Sequence, residues 1–165
     1  MRQALASEHP DVVVIELGYW ESQSHLWNGS WVTLSDSSPY ASAVRDNLVD
    51  LVALIRSSGA VPVLLTSPYY GDGTSSADVD AWNAIVNAVA TGTGSTVLDL
   101  RALIDPTGSY ADSVDGVIVR TSDGIHLTPQ GVTEVIDPWL LPALRRIGDG
   151  AQSTDSERLA SLFTG

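Results

Sequence analysis

Val12-Val13-Val14-Ile15 is a run of four β-branched residues between His9-Pro10-Asp11 and Glu16. It has no polar–apolar alternation, so a strand built from it hides both faces, as strands do in a parallel sheet covered by helices. Val61-Pro62-Val63-Leu64-Leu65 repeats the signature, and residues 96–100 supply a third strand. Residues 40–58 place Val44, Leu48, Leu51, Val52 and Ile55 at helical spacing, with Gly59 as a stop. Residues 78–90 do the same with Trp82, Ile85, Val86 and Val89, and residues 2–8 read as the last turns of a helix closed by His9-Pro10. The alternation predicts a three-layer α/β/α sandwich around a parallel sheet, with the functional rim at the carboxyl ends of the strands. Gly18 to Glu21, Ser67 to Tyr70, and Asp123 with His126 all fall at that rim.

Beyond the third strand, residues 102–122 read as irregular, with a short hairpin around Asp115-Gly116. A final helix is expected from Pro129, broken at Asp137-Pro138 and ending near Gly148. Residues 149–165 are small and polar and read as a flexible tail, leaving one domain over residues 1–148. At 165 residues the chain is long enough for a real core. Its net charge of −12 disfavours nucleic acid or an anionic membrane as partner. All eight basic residues are Arg, which excludes a Schiff-base or P-loop lysine. With no Cys there is no thiol nucleophile, thiolate metal site or disulfide, which accords with an extracytoplasmic location. No apolar run approaches the ~20 residues that span a bilayer, and no signal-peptide core opens the chain. His9, His25 and His126 are far apart in sequence, so no metal site is expected.

The stretch that carries chemistry is Asp123-Gly-Ile-His-Leu-Thr-Pro-Gln-Gly131. It sets a carboxylate three residues before an imidazole, just ahead of a helix that Thr128 caps and Pro129 starts. Gly124 allows the turn between them. An Asp so placed accepts from His Nδ1–H and leaves Nε2 to take a proton from a nucleophile, the acid–base half of a Ser-His-Asp triad. The bland alternative is an Asp-Gly turn followed by a solvent-facing His. Around the rim, Trp20, Trp27 and Trp31 lie within twelve residues among Ser, Asn and Gly, suited to stacking on sugar faces or to packing as a lid. Tyr69 and Tyr70 follow a strand and are candidates to line an acyl pocket. Glu21 is a site candidate or a structural partner of Arg101 or Arg120; His25 reads as a surface residue and Asp99 as the cap of a turn.

Three ordered stretches, Pro10 to Glu21, Val63 to Tyr70, and Asp115 to Arg120 continuing through Asp123 to Gly131, resemble the SGNH (GDSL-type) hydrolase superfamily. The closest likeness is to the SGNH domains fused to bacterial acyltransferase-3 membrane proteins, and it covers about residues 8–148. The resemblance implies a flavodoxin-like fold and cofactor-free ester chemistry on acylated carbohydrate. It also implies a place on the extracytoplasmic face of a bacterial membrane and, as partner, an N-terminal membrane acyltransferase domain. It assigns Asp123 and His126 to the catalytic pair and puts Gly18, Trp20, Glu21, Tyr69 and Tyr70 around the substrate.

Two departures qualify it. The superfamily's nucleophile lies in a Gly-Asp-Ser block on its first strand, and no such block occurs here; Gly71-Asp72-Gly73 is the nearest approach. Either the chain is a piece of a longer protein or it is a relative that has lost the nucleophile, and the intact acid–base half favours the first. In the flavodoxin-like order 2-1-3-4-5 the Val12–Ile15 run is then the third strand, left as an edge. Second, Gly18-Tyr19-Trp20-Glu21 stands where most members carry Gly-x-Asn-Asp, whose Asn serves the oxyanion hole. The leading expectation is a serine esterase or O-acyltransferase domain whose Ser lies outside this chain. The alternative is a non-catalytic glycan- or acyl-binding module.

Overall fold

A computed structural model describes residues 1–162, with residues 152–162 as backbone only. The order is α1 (Arg2–Glu8), β1 (Val12–Ile15), a hairpin of β2 (His25–Trp27) and β3 (Ser30–Val32), α2 (Ser38–Ser57), β4 (Val61–Leu65), α3 (Ser76–Thr93), β5 (Thr96–Leu98) and α4 (Leu100–Ile104). A second hairpin, β6 (Ser113–Val114) and β7 (Val117–Ile118), precedes a C-terminal helix in three parts: α5 (Pro129–Gly131), a π-helical turn (Val132–Ile136) and α6 (Asp137–Leu162).

The sheet is parallel with β4 between β1 and β5, Val12 facing Val61 and Val63 facing Thr96. Being central, β4 buries every residue after Val61. Successive side chains of β1 go to opposite layers. Val13 packs with the cluster that holds Leu48, Val52 and Ile55 of α2 and Trp82, Val86 and Val89 of α3. Val14 packs with Leu100 and Ile104 of α4 and with Ile136 and Trp139 of the C-terminal helix. The two clusters are the two interiors of an α/β/α sandwich, one on each face of the sheet, as the uninterrupted apolar runs require. β1 pairs only with β4, so its other edge carries no strand among the described residues.

Local chemistry accounts for the boundaries. Ser37 caps α2 by accepting from Tyr40 N–H, Ser75 caps α3 by accepting from Asp78 N–H, and α3 ends at Gly94 in the left-handed region. Asp99 accepts from Ala102 N–H at 3.0 Å and starts α4, which shortens the third strand to Leu98 and puts a helical turn in a stretch read as irregular. The β2–β3 hairpin is absent from the sequence reading, although Asn28 and Gly29, both at positive φ, form the two-residue turn that selects it. The expected break at Asp137-Pro138 is the π-helical turn: Pro138 has no N–H, and Asp137 N–H reaches back to Val132 O. The helix does not stop near Gly148. Neither Gly148 nor Gly150 takes a positive φ, and helical backbone continues to Leu162. Residues 163–165 of the expected tail lie outside the described residues. Among the described residues no helix is long and apolar enough to cross a membrane.

Leu64 lies on the central strand, is 1% exposed and packs within the larger apolar cluster. Leu64→Ala is expected to cost about 2–5 kcal/mol in urea unfolding. Leu26→Ala, at a position 64% exposed, should stay within about 0.5 kcal/mol.

Candidate active site

The loop from Val119 to Thr128 is closed at its base by a bridge between Arg120 and Leu127 and by Thr128 N–H donating to Val119 O at 3.0 Å. Thr128 does two further jobs. Its hydroxyl donates to Ile118 O at 2.6 Å and accepts from Gly131 N–H at 2.8 Å, which fixes the start of α5. Within the loop Thr121 N–H donates to His126 O and Gly124 N–H to Thr121 O, both at 2.9 Å.

Asp123 sits at the centre of this turn. Its Oδ1 accepts from the Thr121 hydroxyl at 2.6 Å, Ile125 N–H at 2.8 Å and His126 N–H at 3.1 Å. Its Oδ2 is 2.7 Å from His126 Nδ1. The Thr121 hydroxyl first, then His126 and the two backbone N–H groups, hold the carboxyl well below the usual range of about 3.9. An ionised carboxylate only accepts, so Nδ1 carries the proton and Nε2 presents its lone pair. The His126 side chain is 75% exposed and that of Asp123 44%, so the basic nitrogen faces solvent at the rim.

A second loop, leaving β4, is pressed against the first. Gly71 N–H donates to Gly124 O at 2.9 Å. Gly124 has φ +71°, and a Cβ there would lie 2.7 Å from Gly71 Cα, so a side chain is excluded by both conformation and space. The next residue, Asp72, accepts from the Tyr19 hydroxyl at 2.9 Å. Tyr19 is pushed up by that bond first, with the Asp123 charge contributing, which places the exit of β1 in the field of the pair.

The predicted site residues divide. Asp123 and His126 meet as the spacing anticipates. Gly18 is required by geometry: at φ +142°, a Cβ would lie 2.5 Å from the Ser67 side chain. Glu21 accepts from Gly18 N–H at 2.8 Å, closing the turn after β1, and so does not pair with Arg101 or Arg120. Arg101 instead bonds Asp80. Trp20 is 72% exposed and packs edge-on against Tyr19, whose ring meets Tyr70 in the same way. Tyr69 gives its hydroxyl to Asp80 and lies under Arg101, while Tyr70 is buried with its hydroxyl 2.6 Å from Ser67 Oγ and is pushed up to about 12 by burial. His25 is half-buried against Tyr40, its Nε2 2.7 Å from Trp20 O, rather than free on the surface. Sequence reasoning missed Tyr19, Gly71 and Asp72, which belong to the site only through contacts between distant loops.

A separate apolar cleft of about 270 Å³ opens beside α2, lined by Leu17, Trp20, Trp27, Tyr40, Val44 and Leu48 among others. Asp123 and His126 are not in its wall, and it shares Trp20 and Glu21 with the rim. Among the described residues no group of three or more His, Asp or Glu is placed to hold a metal ion.

A family model described as a protein of unknown function (DUF459) matches residues 1–140. The chain belongs to the DUF459 family. No curated protein matches it. The matched span takes in both loops that build the site, so for this DUF459 member the fold and the Asp123–His126 pair lie within the family's own extent.

The depressed Asp123 carboxyl has a direct consequence. Its folded-state pKa lies below the unfolded one, so its contribution to stability is full above about pH 3.9 and is lost as pH falls through the lower, folded value. Carbon-13 NMR should show the Asp123 carboxyl still ionised at pH 3.5, where exposed aspartates are largely protonated. A midpoint near 3.9 would contradict the hydrogen-bond set described above.

Proposed function

We propose that this chain is the acid–base portion of an SGNH-type serine esterase or O-acyltransferase acting on acylated carbohydrate, with the nucleophilic Ser contributed from outside these residues. One observation carries the reading: His126 Nδ1 is 2.7 Å from an ionised carboxylate, while Nε2 has no partner among the described residues. Nε2 takes the proton from a Ser hydroxyl as its oxygen attacks the acyl carbonyl, and Asp123 stabilises the imidazolium formed. The proton then passes to the departing sugar oxygen. In the second half, water or an acceptor hydroxyl gives its proton to Nε2 as its oxygen attacks the acyl-enzyme, and Nε2 returns that proton to the departing Ser oxygen. No cofactor enters this sequence. The edge of β1 away from β4, which carries no strand among the described residues, is the natural berth for the strand that brings the Ser.

The carbohydrate assignment is supported by the excursion between β1 and α2. Trp20 and Trp31 are 72% and 73% exposed, and Leu26 stands opposite Trp31 on the outer face of the hairpin. Indole faces amid Ser, Asn and Thr suit the C–H faces of sugar rings. In this reading the chain works on the extracytoplasmic side of a bacterial membrane, alongside a membrane acyltransferase that supplies or accepts the acyl group.

The test uses a fluorophosphonate, which labels activated serines. The 165-residue chain should take no label and should hydrolyse p-nitrophenyl acetate no faster than its His126→Ala variant. A polypeptide extended on the amino-terminal side should be labelled at one serine, and His126→Ala should reduce its turnover by roughly 10⁶-fold. His126-dependent labelling of a serine within residues 1–165 would overturn the external nucleophile.

The same exposed indoles favour a second reading, a non-catalytic glycan- or acyl-binding module. It requires that the chain bind acetylated oligosaccharide, that Trp31→Ala weaken binding roughly 3- to 10-fold, and that no extended form depend on His126 for turnover.

A further inference from the structure

His126 is not held by packing. With three-quarters of its side chain in solvent, its position is set from beneath, by the backbone of its loop and by Asp123. The loop in turn rests on a residue with no role in proton transfer. Arg120 is 4% exposed, and its guanidinium donates through Nη1 to Ile125 O at 2.7 Å and through Nη2 to Tyr69 O at 3.0 Å. Ile125 precedes His126 and lends its N–H to Asp123; Tyr69 lies two residues before Gly71, which is bonded to Gly124. The fork therefore spans the two loops whose contact makes the site, and the Tyr70 ring lies over it with 5.7 Å from guanidinium carbon to ring centre. The far side of the β4 loop is pinned as well. Asp105, 2% exposed, accepts from Tyr69 N–H at 2.6 Å and Ala111 N–H at 2.8 Å, so the residue whose carbonyl Arg120 grips is held at its own N–H as well.

A buried cation is costly, and a Met or Leu would fill much of the space without that cost. Neither could bond two carbonyls from different segments. Lys offers one ammonium, whereas the planar guanidinium carries parallel donors at fixed separation. Arg120 Nε is buried with no hydrogen-bond partner among the described residues, so the bonds of the guanidinium run through its two Nη atoms.

We propose that Arg120 is the positioning residue of the acid–base pair, holding the Asp123–His126 loop against the loop that leaves β4 by clamping Ile125 O and Tyr69 O. The proposal rests on reading Asp123 and His126 as an acid–base pair, and its test reads geometry rather than turnover, so the two fail separately. Arg120→Lys keeps the charge and loses the fork; Arg120→Gln removes the charge and keeps one donor. In either folded variant, hydrogen exchange at Gly71 and Ile125 N–H should accelerate at least tenfold, while the amides of Val63, Leu64 and Leu65 keep their protection. The Asp123 carboxyl midpoint should rise toward 3.9 as its donors loosen. A structural role alone would lower protection across β4 together with the loops. In the unaltered protein, which needs no variant to fold, the Arg120 Nη protons should appear as separate, slowly exchanging resonances. Averaged, rapidly exchanging Nη protons in the unaltered protein would overturn the proposal. So would a folded variant with unchanged Gly71 and Ile125 exchange and an unmoved Asp123 midpoint.

Discussion

The hydrogen bond from Gly71 N–H to Gly124 O is the contact on which the site depends. It joins the loop leaving the central strand to the loop that carries Asp123 and His126, and it requires that Gly124 bear no side chain. A Cβ on Gly124 would meet Gly71 Cα at 2.7 Å, and one on Gly71 would meet the Tyr110 ring at 2.6 Å. Two backbones so close leave no play, and so little else is needed to fix an imidazole that stands almost free in solvent. Asp123 fixes its tautomer, Thr121 and two peptide N–H groups fix Asp123, and the bridge at Arg120 and Leu127 fixes the loop's base.

The division of labour follows from burial. The sandwich is held by apolar contact on both faces of β4, and the rim contributes little to that sum. An exposed ion pair contributes little to stability because water screens it, so the Asp123–His126 contact is better understood as orientation than as cohesion. The groups that do cost free energy to bury, Arg120 and Asp105, lie beneath the rim and bond backbone rather than side chains. That arrangement sets loop position while leaving the reactive nitrogen open.

The parts of this design governed by neighbours in sequence were legible there. The three strands show as apolar runs, and the start of the C-terminal helix as the Thr128 cap ahead of Pro129. The Asp115-Gly116 hairpin shows in its turn residues, and the Asp–His contact in a three-residue spacing across a glycine. Even the interruption before Pro138 follows from a missing N–H. What escaped the reading depends on tertiary placement. Glu21 was open to an arginine partner, yet a peptide N–H three residues away competes at no loop-closure cost and wins. Tyr69 and Tyr70 share an address in sequence, but one reaches out to Asp80 and the other turns in to Ser67. Tyr19 joins the site through Asp72, fifty-three residues away, a distance across which no local pattern speaks. The run of helix past Gly148 is the converse case: a glycine stops a helix only when its backbone takes the left-handed turn, and Gly148 does not.

The central claim is that Asp123 holds His126 with the proton on Nδ1 and the lone pair on Nε2. Nitrogen-15 NMR of the imidazole ring reads this directly, because protonated and unprotonated ring nitrogens resonate far apart. At a pH where the ring is neutral, His126 should show a protonated Nδ1 and a bare Nε2, and Asp123→Asn should abolish that preference. A neutral His126 carrying its proton on Nε2, or a tautomer balance that Asp123→Asn leaves unchanged, would contradict the account.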